Sequence, residues 1–386
     1  ETLKSQSPVA KGKVLKLTAL HTSKLVALGL GLLFIISCAW WLLPAEQPEK
    51  DLAKRPYILV VPFSVSGNDD DKWQAFADQI TREVIVKLRK ISGLKVLPAS
   101  SAFIFKQNKS TSHVREKLPE VDYLLDADIK IDEFDNMQIS VELTKLDSNK
   151  LVWDEHYRSR VDNTKFFKIQ GQIAESASKS LKVAIMAKEY SALNELPTAN
   201  LAAYERYVEG QKQLNLLTNT SLQKAVSLFS QAIQLDPQFE AAYVAKADAY
   251  RIIMSYFQKP SDVFPDVVDS VLDALSINEN SAPALSSLGL AYVLAWRWQD
   301  AFEVLSAARI ADPSLAQTEL GFALYYAGIG DIDGVYRSLE NADQLDPLNI
   351  ELADWGHWAL AMVGENDAAI KWAKDKIQLH PDVGLL

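Results

Sequence analysis

The C-terminal half of the chain repeats a helix-ending signal at a fixed spacing. A residue pair ending in proline closes an apolar stretch at Asp236-Pro237, Asp312-Pro313, Asp346-Pro347 and His380-Pro381. The last three of these prolines are 34 residues apart. Proline cannot continue a helix, so each pair is predicted to end one helix and to start the next hairpin. A period of this length predicts a solenoid of stacked helical hairpins over residues 201–386.

Small and aromatic residues alternate through the same half. Ala232, Gly289 and Ala308 stand where paired helices would pack closely, and Tyr292 and Trp372 stand where bulk is needed between neighbours. Together with the period, this pattern resembles tetratricopeptide repeat arrays, and four to five repeats are expected. The resemblance implies a curved groove that binds a protein or peptide partner.

Four tryptophans are the candidate partner-binding residues of this array: Trp296, Trp298, Trp355 and Trp358. Tryptophan is enriched among the residues that dominate binding energy at protein interfaces. The alternative interpretation is that all four fill space between helices.

An uncharged run of 19 residues, Leu25 to Leu43, predicts a single transmembrane helix. Trp40 and Trp41 lie at its far end, and lysines precede it. The positive-inside rule then places the N-terminus in the cytoplasm and the bulk of the chain outside it, so we expect a single-pass membrane protein. Two alternatives remain open: a lipoprotein processed at Cys38, and a cleaved signal peptide.

The predicted membrane helix could also support self-association. Ala27 and Gly31 place two small residues on one helix face, where a second copy could approach in a homodimer. Cys38, the only cysteine, falls in the same run, so the expected outer part cannot form an internal disulfide.

Residues 56–187 predict a mixed domain. The buried strand YILVVPFSV is followed by an amphipathic helix, a short strand and a weaker helix. Three further strands, VDYLLDADIKID, NMQISVELTKL and KLVWDEHYRSR, predict an antiparallel meander, and a long helix from Lys165 to Tyr190 completes the unit. This order implies an α/β or α+β sandwich.

Several short motifs in this segment resemble the TolB-amino-terminal-like domain of bacterial envelope and signalling proteins. They include Val60-Val61-Pro62-Phe63, the run from Ile91 to Val96, Tyr123-Leu124-Leu125 and Leu151-Val152-Trp153. The resemblance covers about 130 residues.

The predicted fold class is therefore multidomain: one transmembrane helix, a TolB-like α/β domain, then an all-α tetratricopeptide solenoid. The expected parts are a cytoplasmic basic linker (1–24), the transmembrane helix (25–43), a linker (44–55), the TolB-like domain (56–187), a second linker (188–200) and the repeats (201–386).

Composition and motifs point away from catalysis. We find no phosphate-binding loop, nucleophile elbow or zinc-protease motif, and the five histidines stand apart. We therefore predict no enzymatic activity, no catalytic residue, no metal site and no cofactor. The net charge of -10 argues against a nucleic-acid surface spread over the whole chain.

The whole arrangement resembles membrane-integrated transcriptional regulators of the CadC and ToxR type, although adenylate-cyclase-fused relatives share the outer domains. The resemblance implies a single-pass protein of the bacterial inner membrane whose periplasmic bulk senses and transmits a signal. DNA would be bound only by an upstream winged-helix domain absent from this chain. The alternative is an envelope scaffold or adaptor without a role in gene regulation.

Overall fold

The stretches of apolar and alternating residues between positions 57 and 160 form a six-stranded sheet. The computed structural model describes residues 55–66, 71–132, 136–160 and 164–379. The strands are β1 (Tyr57–Val60), β2 (Ser64–Ser66), β3 (Lys95–Val96), β4 (Tyr123–Ile131), β5 (Asn136–Lys145) and β6 (Lys150–Arg160). Their order is β3-β1-β4-β5-β6, and β2 pairs with β4. β1 runs parallel to β3 and β4, whereas β4, β5 and β6 form the predicted antiparallel meander.

Helices accompany the sheet and bury their apolar stripes in its core. They are α1 (Asp71–Arg89), α2 (Ala99–Ala102), a 3-10 helix (Phe103–Lys106), α3 (Thr111–Lys117), α4 (Thr164–Ser180) and α5 (Ala187–Leu193). α1 packs against α4, and Ile80 and Leu88 of α1 are fully buried with Ile173 of α4.

The long helix predicted from Lys165 to Tyr190 is divided into two. α4 ends at Ser180, Lys182 adopts the left-handed conformation with φ 59°, and α5 starts only at Ala187. The break lets Val183 pack directly over Gly93, where there is no room for a side chain.

Five helical hairpins follow in the described chain. Their helices are α6 (Leu201–Leu214), α7 (Asn219–Leu235), α8 (Glu240–Tyr256), α9 (Pro260–Ile277), α10 (Ala282–Leu294), α11 (Trp298–Ala311), α12 (Ala316–Ile329), α13 (Ile332–Leu345), α14 (Ile350–Met362) and α15 (Asn366–Leu379). Asp236, Asp312 and Asp346 directly follow α7, α11 and α13, which confirms the helix ends predicted from the Asp-Pro pairs.

The hairpins stack so that their first helices α8, α10, α12 and α14 lie side by side. α10 and α12 are apolar almost all round because each packs against its own partner helix and both neighbouring hairpins. In such a stack the turns inside the hairpins lie at one edge, and the connections between hairpins lie at the other.

The sheet domain is joined to this second edge. Phe239 and Leu348, both in connections between hairpins, are buried in the core of the sheet domain. Arg89 Nη2 of α1 donates to the Ser314 carbonyl oxygen at 2.7 Å. Lys87 Nζ donates to the carbonyl oxygens of Leu193 and Glu195, at 2.6 and 3.0 Å. The sheet domain and the repeats therefore share one core.

The predicted fold class with a transmembrane helix, and the predicted inner-membrane localisation, are corrected by the structure. It shows a mostly helical protein with a small sheet domain followed by helical repeats. Of the helices in the described ranges, none combines the length and apolar character needed to cross a membrane. The longest, α1, has 19 residues but is amphipathic and carries charged side chains. The stretch 25–43, with Ala27 and Gly31, lies outside the described residues.

Candidate interaction surface

The four predicted tryptophans fall into two pairs. Trp298 and Trp355 are half-buried and pack against the core of the last hairpins. The ring of Trp298 lies directly over Gly328, and the ring of Trp355 lies 5.9 Å from that of Tyr256. Trp296 and Trp358, by contrast, are 71% and 54% exposed. Space-filling therefore accounts for Trp298 and Trp355. The ring of Trp296 meets that of Trp298 edge to face, with the ring centres 5.5 Å apart, but most of it stays exposed, as does most of Trp358.

Trp296 has an unusual backbone as well as an exposed ring. It lies in the turn between α10 and α11 with φ 60°, in the left-handed region that disfavours bulky residues. The residues 34 and 68 positions further on are Gly330 and Gly364, which have φ 80° and 85° in the equivalent turns. Glycine meets this requirement without strain, so Trp296 occupies a glycine position without burying its side chain in return.

The same edge of the solenoid exposes apolar side chains at every turn inside the five hairpins. We call this set the turn row: Leu216, Leu217, Phe257, Trp296, Ile329, Ile332 and Met362, all of them exposed. Contiguous exposed apolar surface is typical of protein interaction sites. The opposite edge is covered in part: Phe239 and Leu348 are buried against the sheet domain, whereas Leu235 and Ile310 near the helix ends are exposed.

The inner face of the solenoid, which the sequence predicts as the partner groove, is bridged by polar contacts. Arg251 on α8 is buried, and its guanidinium pairs with Glu351 on α14, with Nη2 3.2 Å from Oε2. Arg251 Nε also lies 3.4 Å from Asp248 Oδ1. Burial lowers the pKa of Arg251, but the carboxylates of Glu351 and Asp248 outweigh it and raise the pKa above its ordinary value. Tyr256 Oη donates to Asp354 Oδ2 at 2.6 Å beside this pair.

These contacts join the second hairpin to the fifth across the inner face. Asp248 also accepts from Ser287 on α10 and, at 3.3 Å, from Gln317 Nε2 on α12. One acidic side chain thus gathers donors from three successive hairpins. The middle of the inner face is therefore occupied by the chain's own side chains.

Side chains that could bind metal are scattered. Within the described ranges, no group of three or more His, Cys, Asp or Glu residues is placed to hold a metal ion. His156 lies exposed on β6, with Nδ1 3.0 Å from Ser140 Oγ.

Sequence reasoning missed most of the turn row and the strain at Trp296. A signal was present, because aligning the chain at its 34-residue period places Trp296 in register with Gly330 and Gly364. Trp296 is thus a bulky residue at a position that the next two repeats fill with glycine. Leu217, in the equivalent turn of the first hairpin, is likewise left-handed, with φ 52°.

Comparison with known proteins finds distant relatives only. No protein-family model matches the chain. The chain is 23% identical over 313 residues to the transcriptional regulator HilA of Salmonella typhimurium, covering 79% of this chain and 52% of HilA. It is 24% identical over 203 residues to putative adenylate cyclase 3 of Rhizobium meliloti, covering 52% of this chain and 34% of that protein. The chain thus spans about half or less of the length of these curated relatives.

Solved structures that resemble part of the chain include two repeat proteins. One is TTC0263, a thermophilic tetratricopeptide repeat protein of Thermus thermophilus, with 20% identity and a TM-score of 0.40 over 47% of this chain and 93% of that one. The other is MamA of Desulfovibrio magneticus, with 15% identity and a TM-score of 0.33 over 47% of this chain and 97% of that one.

Proposed function

We propose that this chain is the protein-interaction part of a transcriptional regulator, and that its partner protein binds the turn row with Trp296 at the centre. The observation that carries the proposal is Trp296 itself: an exposed indole in a left-handed turn where the next two repeats have glycine. Backbone strain that is not offset by side-chain packing is typical of functional positions. The similarity to HilA over 79% of the chain supports the regulator class.

The finer assignment follows the sequence resemblance. We propose that the sheet domain is TolB-amino-terminal-like, and that the chain is related to CadC- and ToxR-type regulators through this domain and its repeats. DNA binding would then belong to a winged-helix domain outside this chain, and the repeats would recruit a protein. The alternative is a scaffold that binds the same partner without acting on transcription.

The turn row is favoured over the inner groove on physical grounds. A peptide entering the inner face would have to displace the Arg251–Glu351 pair and leave a buried charge without its partner, which costs about 3–5 kcal/mol. Binding at the turn row would break no internal ion pair. Its apolar side chains are exposed, so a partner that covers them removes apolar surface from water.

The test is site-specific photo-crosslinking in the full-length protein, expressed in its own host. A photoreactive phenylalanine derivative at position 296 should trap one partner, whereas the same group at Ile310, exposed but outside the turn row, should not. The purified partner should then bind Trp296→Gly at least tenfold more weakly than the unaltered protein.

Stability separates a binding role from a structural one. Trp296→Gly relieves the left-handed strain, so its melting temperature should be equal to or above that of the unaltered protein. Unchanged affinity of Trp296→Gly, or a clear loss of stability, would contradict the proposal. Lost binding with an unaltered set of transcripts would favour the scaffold.

A further inference from the structure

A polar cavity of about 280 Å³ lies between α1 of the sheet domain and α6 of the first hairpin. α1 contributes Gln74, Asp78 and Arg82, Lys106 comes from the 3-10 helix, and α6 contributes Gln211 and Lys212. The volume is near the lower end of the range for small-molecule sites. No residue of the turn row lines the cavity, although Asn215 of its wall directly precedes Leu216.

Arg82 lines this cavity with donors that the protein does not use. Its guanidinium carbon lies 4.1 Å from the centre of the Phe103 ring, so one face of the group is covered by an aromatic side chain. No hydrogen bond or ion pair joins the guanidinium to any residue of the described ranges. Burial lowers the pKa of Arg82, as expected for a charge taken from water without a close partner.

The nearest acid is already engaged elsewhere. Asp78 Oδ2 lies 2.6 Å from Lys106 Nζ, and Asp78 Oδ1 accepts from Gln74 Nε2 at 3.0 Å. Arg82 and Lys106 together carry one positive charge more than Asp78 compensates. Gln74 and Gln211 add amide groups that can donate or accept hydrogen bonds.

We propose that this cavity binds a small oxyanion, a carboxylate or phosphate compound, and that Arg82 is the residue that holds it. A guanidinium offers paired N–H donors in the geometry of a carboxylate or phosphate, and the Phe103 ring covers one face of the group. A ligand bound here touches both the sheet domain and the first hairpin. Its binding therefore couples the two parts of the protein.

The test measures binding of two probes, inorganic phosphate and succinate, to the purified protein by isothermal titration calorimetry and thermal shift. Sodium chloride keeps the ionic strength constant, so that only specific binding changes the signal. We expect saturable binding of at least one probe to the unaltered protein, and the stronger probe identifies the ligand class. Arg82→Gln should bind that probe at least tenfold more weakly.

Two further variants keep the result interpretable. Arg115→Gln removes an exposed arginine outside the cavity and should bind as the unaltered protein does. Arg82→Lys keeps a positive charge near Phe103 but lacks the paired N–H donors of the guanidinium. If Arg82→Gln fails to fold, the binding affinity of Arg82→Lys for the probe is compared with that of the unaltered protein instead. Absence of saturable binding to the unaltered protein, or equal affinity of Arg82→Lys and the unaltered protein, would overturn the proposal. Neither result bears on the turn row, because Trp296 is not involved.

Discussion

At the scale of single residues, one buried carboxylate fixes the start of α5. The Glu189 side chain accepts from the backbone N–H of Ser92 and of Met186, each at 2.8 Å. Burial by itself raises the pKa of Glu189, but these hydrogen bonds outweigh it and bring the pKa below its ordinary value. The carboxylate thus ties the loop after α1 to the N-terminus of α5.

The lowered pKa makes part of the stability dependent on pH. A group with a depressed folded-state pKa stabilises the fold above its ordinary pKa, and this contribution is lost as the pH falls through the folded value. Glu189→Gln should be less stable by about 1–2 kcal/mol at pH 7 and should lose less stability on acidification. Urea unfolding between pH 7 and 3 measures both effects. The matched control is Glu142→Gln, on the exposed side of β5, and a similar loss in that variant would contradict the assignment.

Trp296 shows what single-residue reasoning can and cannot predict. Its residue type, which is readable from the sequence, made it a candidate binding residue. Its place in the repeat, in register with Gly330 and Gly364, is also readable and gives a second signal. Its exposure is not readable, since Trp298, two residues further on, is held against Gly328. Whether a tryptophan packs inward or outward depends on the partner surface that the fold brings to it.

At the scale of helices, Leu305 of α11 packs between two glycines. A Cβ atom at Gly289 would lie 2.5 Å from Leu305 Cδ2, and one at Gly321 would lie 2.6 Å from the same atom. These glycines therefore let α10 and α12 approach α11 closely.

Gly289→Ala should destabilise the protein by about 1–3 kcal/mol, because the added methyl group meets a fully buried leucine. Adding Leu305→Ala removes the clash, so the double variant should be more stable than the sum of the two single effects predicts. Denaturant unfolding of the four proteins in this cycle provides the measurement. Strict additivity would show that Leu305 does not limit the approach of the helices.

Helix ends were predictable where the signal was local, and not where it was tertiary. The Asp-Pro pairs predicted the ends of α7, α11 and α13, since proline acts on its own backbone. α5 falls partly within the segment 188–200 that was predicted as a linker. Its order depends on Lys87 and Ser92, which are about a hundred residues away in sequence.

At the scale of the whole molecule, Asp346 joins the repeats to the sheet domain. Its buried carboxylate accepts from the hydroxyls of Ser100 and Ser101 in α2, and Ser101 Oγ in turn accepts from the Leu348 N–H at 2.9 Å. Residues so far apart in sequence leave no shared local pattern. The way the two parts dock could therefore not be predicted from the chain alone.

Asp346→Ala should cost about 3 kcal/mol, since it leaves the buried Ser101 hydroxyl and the exposed Ser100 hydroxyl without their shared acceptor. Asp312 is the matched control: it holds the equivalent place one period earlier. Within the described ranges its side chain accepts only from Ser314, so it touches the sheet domain only indirectly, through the contact of Ser314 with Arg89. Asp312→Ala should cost about 1 kcal/mol. Thermal unfolding followed by circular dichroism compares them, and equal losses would mean that Asp346 does not join the two parts.

The Arg251–Glu351 bridge also limits how such a chain can evolve. In an open array each hairpin touches only its neighbours, so a unit can be duplicated or deleted with little consequence elsewhere. Here Arg251 on α8 pairs with Glu351 on α14, three hairpins later in the chain. Inserting or deleting a hairpin between α8 and α14 would separate Glu351 from Arg251 and break this ion pair. The ion pair therefore constrains the number of hairpins between them.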